Sequence, residues 1–316
     1  MVRILFDATL LPILGPVPTH GPEQTRTYRS QPSHHLARII AIANQKGGVG
    51  KTTTAVNLAA ALAVAEQRTL LVDGDPQGNA SSGLGILPSE LTRTVYDVLL
   101  GNSPDDVIRK GVQFGHLDLI PATPDLAGAE VELVDMERRE LAMREALDPL
   151  RANYDIILID CPPSLGLITL NMLAAADGVL IPLQCEYFAL EGITHLMKTI
   201  EMVKKAINPA LIVDGVLLTM YDARLNLSRQ VASDTRAFFG DRVFDTVIPR
   251  NVRLAEAPSF GKPIHTYDIG SVGSVAYLSL AKELMTRLET YVSPPETDGP
   301  VAAFSTMDVQ DEATPS

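Results

Sequence analysis

The chain has 316 residues, 46% of them hydrophobic, with a formal net charge of −12 and two cysteines. That size and apolar content suit one large α/β domain with a full core better than two domains. Cys161 and Cys185 are too few for a disulfide framework and lack zinc-site spacing, which points to a reducing cytoplasm, and no apolar run approaches the roughly 20 residues of a membrane span.

The apolar start over residues 1–14 is interrupted by Asp7 and carries only Arg3, a pattern that argues against a secretory signal. Residues 11–33 are punctuated by Pro and Gly without a sustained period, and residues 1–36 are expected to be a flexible extension or the result of a misplaced start. From there the chain reads as a domain over residues 37–291. Residues 39–43 (Ile-Ile-Ala-Ile-Ala) predict a buried strand, and the alanine-rich stretch 54–65 predicts a helix.

Between them lies Lys46-Gly47-Gly48-Val49-Gly50-Lys51-Thr52-Thr53, a glycine loop with two lysines where a helix begins. Backbone N–H groups and the positive end of the helix dipole converge there on anionic oxygens. Three glycines let the backbone approach phosphates, Lys51 reaches the β- and γ-phosphates, Thr52 is placed to ligate magnesium and Thr53 to contact the α-phosphate. The loop is deviant: Gln45 stands where the ordinary pattern has glycine, and Lys46 is an extra cation.

Further aliphatic runs at 69–72, 117–120, 155–159, 178–182 and 212–218 alternate with helical spacing at 129–147, 168–175, 190–206 and 225–238. Such runs predict a doubly wound, mostly parallel sheet with helices on both faces. Two acidic motifs follow strands: Asp73-Gly74-Asp75-Pro76-Gln77-Gly78-Asn79 and Asp160-Cys161-Pro162-Pro163-Ser164. Open α/β sheets bind ligands at the carboxyl ends of strands. Asp160 is therefore the candidate Walker-B acid of the metal shell, Asp73 its support, and Asp75 the group that orients or activates an attacking water.

Charge is uneven along the chain. Residues 292–316 hold five acids and no Lys or Arg among prolines and small residues, which predicts a disordered acidic tail. Residues 221–262 hold seven basic residues against five acids, a local basic excess on an acidic protein.

The ordered motifs Asn44-Gln-Lys-Gly-Gly-Val-Gly-Lys-Thr-Thr53, Asp73-Gly-Asp-Pro-Gln-Gly-Asn-Ala80, Ile159-Asp-Cys-Pro-Pro-Ser-Leu-Gly166, Gln184-Cys-Glu-Tyr-Phe-Ala-Leu-Glu-Gly192 and Ile248-Pro-Arg-Asn-Val-Arg-Leu254 resemble the ParA family of partition ATPases, of the short Soj type, over about residues 37–290. The resemblance implies a P-loop ATPase with a deviant Walker-A loop that uses ATP and Mg2+ and has weak intrinsic activity. It implies a homodimer formed face to face on ATP, in which Lys46 reaches the partner's phosphates. It also implies non-specific DNA binding through Arg224 and Arg253, stimulation by a ParB-like centromere protein, a cytoplasmic, nucleoid-associated location, no membrane partner, and a role in segregating a chromosome or plasmid. Pro249 and Asn251 would line the adenine.

Two departures stand out: Gly74 replaces an aliphatic residue, which predicts a looser switch, and residues 267–273 replace a stretch that usually carries arginine. Among rivals, a MinD-like membrane ATPase calls for a basic amphipathic C-terminal helix, where this chain has an acidic, proline-containing tail. An iron–sulfur reductase calls for cysteines presented to a cluster, and a metabolic ligase or a non-hydrolysing scaffold would use the same cradle.

Overall fold

The computed structural model describes residues 36–186 and 189–292. The expected N-terminal extension up to residue 35 and the acidic tail from residue 293 lie outside the described residues.

Six strands form one parallel sheet: β1 (Arg38–Ile42), β2 (Thr69–Asp73), β3 (Leu117–Ile120), β4 (Ile156–Asp160), β5 (Gly178–Gln184) and β6 (Ile212–Thr219), in the order β3-β2-β4-β1-β5-β6. Their continuous aliphatic runs are what a sheet covered on both faces requires. Side chains alternate between two cores. Ile39, Ala41, Leu70, Val72, Ile157 and Ile159 point to one, and Ile40, Ile42, Leu71, Leu158 and Leu180 to the other.

The second core is closed by α1 (Lys51–Val64) and α11 (Val272–Val292). Alanines 55, 59, 60, 61 and 63 of α1 are buried, so small side chains let this helix lie close to the sheet and to α11. Leu280, Ala281 and Leu284 of α11 meet it. The first core is covered by α3 (Val95–Leu99), α5 (Ala142–Leu147), α6 (Leu167–Ala175), α7 (Ala189–Ala206) and α8 (Asn226–Phe239).

The strands and α6, α7 and α8 fall within about two residues of the sequence expectation. The single helix expected over 129–147 does not form. It is split into α4 (Ala129–Glu132) and α5, with Met136 extended and Arg138 at φ 54° between them. Asn171 of α6 explains the break: its amide donates to the Arg139 carbonyl (2.7 Å) and its oxygen accepts from Met143 N (3.2 Å), taking backbone groups a continuous helix would use itself. The short helices α2 (Asn79–Gly83), α9 (Val252–Glu256) and α10 (Ile264–Tyr267), and the long α11, were not among the expected elements.

Gly74 does not loosen the end of β2. Its N–H donates to the Asp160 carbonyl (2.9 Å), and a Cβ there would lie 2.8 Å from that same oxygen and 3.0 Å from Met172 Cε. Glycine is a close-packing requirement in this chain. Gly74→Ala is expected to destabilise by about 1–3 kcal/mol, measured as a lower urea midpoint at unchanged slope.

α10 is tied to α1 by a buried polar cluster. Asn57 accepts from Ile264 N (2.7 Å), and His265 bonds the Asn57 carbonyl (3.1 Å) and Ser274 Oγ (2.8 Å). Burial holds the His265 pKa below the usual histidine value, opposed only in part by the Asn57 carbonyl. A depressed histidine pKa means the unfolded chain takes up the proton first. Stability is therefore whole above about pH 6.5 and falls as pH drops through the lower folded pKa. His265→Leu is expected to lose less thermal stability than wild type between pH 7.5 and pH 5.5, read as the difference in Tm.

Candidate nucleotide site

The loop after β1 turns back on itself through two left-handed glycines, Gly48 (φ 74°) and Gly50 (φ 88°), and α1 begins at Lys51. A Cβ on Gly47 or Gly48 would meet nothing within 4 Å, so the loop backbone borders open space. Neighbouring elements brace it. Thr219 Oγ1, at the tip of β6, donates to the Val49 carbonyl (2.8 Å). Asn44 donates to the Pro182 carbonyl (2.8 Å) and accepts from Lys46 N (3.0 Å). Gln45, the deviant residue, donates to Thr199 Oγ1 of α7 (3.3 Å), so it fastens the loop to that helix.

The two lysines occupy different places. Lys51 is buried and its ammonium folds over the loop to donate to the Lys46 carbonyl (3.1 Å). Burial lowers its pKa, while Asp160, Cys161 and Asp75 pull the other way. Lys46 is about one-third exposed and pairs with Glu186, just past the end of β5.

The predicted carboxylates converge because the strands are in register: Asp73 of β2 lies opposite Asp160 of β4, which lies opposite Ile42 of β1. Asp160 is fully buried, and neither oxygen has a hydrogen-bond partner among the described residues. Burial, then Asp73, pushes its pKa well above the carboxylate range, and Thr52 and Lys51 oppose this only in part. A buried carboxylate with two unpartnered oxygens beside a threonine hydroxyl and a lysine fits a divalent cation. Among the described residues no group of three His, Cys, Asp or Glu could hold a metal unaided, so a cation there needs oxygens from a ligand and water.

Asp73, expected to support the metal shell, lies beside Asp160 at the end of the sheet. Its oxygens are taken up within its own turn, by Ser81 N (2.8 Å), Ser81 Oγ (2.7 Å) and Asp75 N (3.3 Å). Burial pushes its pKa up to about 6 despite these donors. Asp75 is buried in the same turn, with one oxygen accepting from Gln77 N (2.9 Å).

Beside the loop, Gly50, Thr53, Thr219, Met220, Pro249, Asn251 and Tyr277 help to line a cavity of about 350 Å3. Pro249 and Asn251 are therefore brought to the glycine loop from far along the chain. Asn251 also caps α9 by accepting from Arg253 N (2.7 Å). Arg224 and Arg253 lie on the surface and are ion-paired: Arg224 with Asp222 (2.6 Å), and Arg253 with Glu256 in its own helix (2.9 Å) and with Asp268 just past α10 (3.4 Å).

Glu186, Ser81, Thr219 and Tyr277 were not singled out from the sequence. Thr219 was within reach, as a polar residue ending an aliphatic strand. For Ser81 and Tyr277 only folding supplies the neighbour. Cys161 and Cys185 are buried and free, which does not suit cluster ligation. No helix among the described residues is long and apolar enough to cross a membrane.

A family model described as an AAA domain matches residues 37–213. The chromosome partitioning protein ParA of Myxococcus xanthus (strain DK1622) is 59% identical over 259 residues, 82% of this chain and 91% of that protein. The sporulation initiation inhibitor protein Soj of Bacillus subtilis (strain 168) is 56% identical over 249 residues, 79% of this chain and 98% of that one. Among solved structures, cobyrinic acid a,c-diamide synthase from Mycobacterium smegmatis with bound ADP and magnesium is similar with a TM-score of 0.71 and 39% identity, over 81% of this chain and 97% of that chain. With a P-loop α/β fold, a glycine loop flanked by buried acids, and more than half its residues shared with these partition proteins over most of both lengths, the chain belongs to the ParA/Soj family of chromosome-partitioning ATPases.

Proposed function

We propose that the protein hydrolyses ATP with Mg2+ as a face-to-face homodimer that holds non-specific DNA while ATP is bound and releases it after hydrolysis. The observation that carries this reading is the division of the loop's lysines, Lys51 folded over the loop and Lys46 outside it on Glu186. A cation on the rim is available to a second subunit once Glu186 gives it up, and it then stabilises charge developing on the partner's phosphoryl oxygens.

Gly47 to Gly50, Lys51, Thr52 and Thr53 would cradle the phosphates, and Pro249 and Asn251 would border the adenine in the cavity beside them. Thr52 and Asp160 would hold magnesium, which neutralises phosphate charge when bound. Asp75 would orient the attacking water and take up its proton.

Arg224 and Arg253 would contact DNA phosphates, exchanging their carboxylate partners for phosphate oxygens. Dimerisation doubles the contacts, so an acidic protein binds DNA only in its nucleotide-assembled state. A ParB-like partner would stimulate hydrolysis, and the protein would work in the cytoplasm on the nucleoid. The names of the partition relatives support this cycle over the metabolic alternative.

The test is binding of non-specific duplex DNA at two salt concentrations with no nucleotide, ADP, ATP or a non-hydrolysable analogue. Binding is expected only with ATP or the analogue. Arg253→Ala is expected to weaken it and to reduce the salt slope by about 2, one phosphate contact per subunit. In the same preparations, Lys46→Ala is expected to lose about 10³-fold in turnover and Asp75→Ala about 10²-fold or more, both with nucleotide still bound. Nucleotide binding without DNA binding under any condition would instead favour a metabolic ATP-dependent reaction.

A further inference from the structure

We infer that Ser81 is a positioning residue for ATP hydrolysis, which acts through Asp73 to fix the carboxylate of Asp75, and that Asp73 serves as the hydrogen-bond hub of this turn instead of supporting the metal. The inference rests on the reading of Asp75 as the residue that orients the attacking water.

Three elements meet at Ser81. Its N–H and Oγ–H both donate to one oxygen of Asp73 at the tip of β2, at 2.8 and 2.7 Å. Its Oγ also accepts from Ala122 N (3.0 Å), in the loop that follows β3. The hydroxyl's one proton and an acceptor site are thus both used, and Ser81 is 2% exposed, so no water replaces these partners without opening the turn.

The other oxygen of Asp73 accepts from Asp75 N (3.3 Å), so the two faces of one buried carboxylate connect the backbone of Asp75 to Ser81. Beyond Asp75 the turn is closed by Gln77 N on its side-chain oxygen (2.9 Å) and Gly78 N on its carbonyl (2.9 Å). Gly78 sits at φ 60°, and a Cβ there would lie 2.9 Å from the Ala122 carbonyl, so the turn is pressed against the same loop that donates to Ser81. The path of Asp75 is therefore set by a closed ring of donors around Asp73. Near Asp160 the pattern is reversed: its oxygens have no such donors among the described residues, which leaves that acid, and not Asp73, as the one suited to a cation.

The geometry separates two roles by their kinetics. A residue that positions the attacking group lowers kcat with little effect on ligand affinity, whereas a member of the metal shell raises the Mg2+ needed. The experiment measures steady-state ATPase activity and Mg2+ half-saturation of the full chain. It compares wild type, Ser81→Ala, Ser81→Thr and Asp73→Asn, with binding of a fluorescent ATP analogue and a thermal melt of each preparation.

Ser81→Ala is expected to lower kcat about tenfold or more with the ATP KM and Mg2+ half-saturation within about twofold of wild type. Ser81→Thr, which keeps the hydroxyl, is expected to recover most of that loss. Asp73→Asn is expected to lower kcat in the same way, because an amide NH2 cannot accept from Asp75 N while its oxygen accepts from Ser81. If Ser81→Ala does not fold, Asp73→Asn carries the same comparison.

A rise in Mg2+ half-saturation for Asp73→Asn, with Ser81→Ala like wild type, would overturn the inference and return Asp73 to the metal shell. So would unchanged kcat in both variants. A wild-type protein that binds the analogue but does not hydrolyse ATP would sink the reading of Asp75 first, and this inference with it.

Discussion

The parallel register of β2, β4 and β1 is the constraint from which the site follows. Pairing Asp73 with Asp160, and Asp160 with Ile42, puts two buried carboxylates and the start of the glycine loop at the same end of the sheet. Two acids so close would repel, and the chain handles each differently. Asp73 is surrounded by donors from Ser81 and Asp75, whereas Asp160 has no hydrogen-bond partner among the described residues and only the partial compensation of Lys51 and Thr52. Burial lowers the Lys51 pKa, and Asp160 and Asp75 oppose this only in part. This is a site whose electrostatics are incomplete without a ligand, since an unpaired buried charge is costly and a bound cation removes that cost.

The loop's second lysine belongs to a different balance. Lys46 and Glu186 are both partly exposed, so their pairing is weak enough to exchange for a stronger anion. The same logic applies at the surface. Arg224 is tied to Asp222, and Arg253 to Glu256 and Asp268, pairs in which each arginine is exposed.

The likeness to the diamide synthase and the stronger likeness to the partition proteins have one physical origin. A phosphate cradle at the tip of a parallel sheet is built by β1, the glycine loop and α1, and these demand the same residues whatever the nucleotide's energy is used for.

The cradle, the strands and the acids that end them were legible in the sequence, because backbone geometry fixes the chemistry: a glycine loop between an aliphatic run and an alanine-rich helix admits few other structures, and buried strands announce themselves by composition. The break inside 129–147 was not legible, since it depends on Asn171, about 30 residues further along, competing for helix hydrogen bonds. The meaning of Gly74 also changed on folding, from an expected looseness to a contact with the Asp160 backbone. The sequence by itself determined which residues carry charge and where strands and turns fall, because these are local properties of the chain. Which polar groups meet emerges only on folding: Lys46 with Glu186, Asp73 with Ser81, and Asp160 with no hydrogen-bond partner among the described residues. The Lys46–Glu186 pair joins segments 140 residues apart in sequence, and packing rather than spacing chooses it.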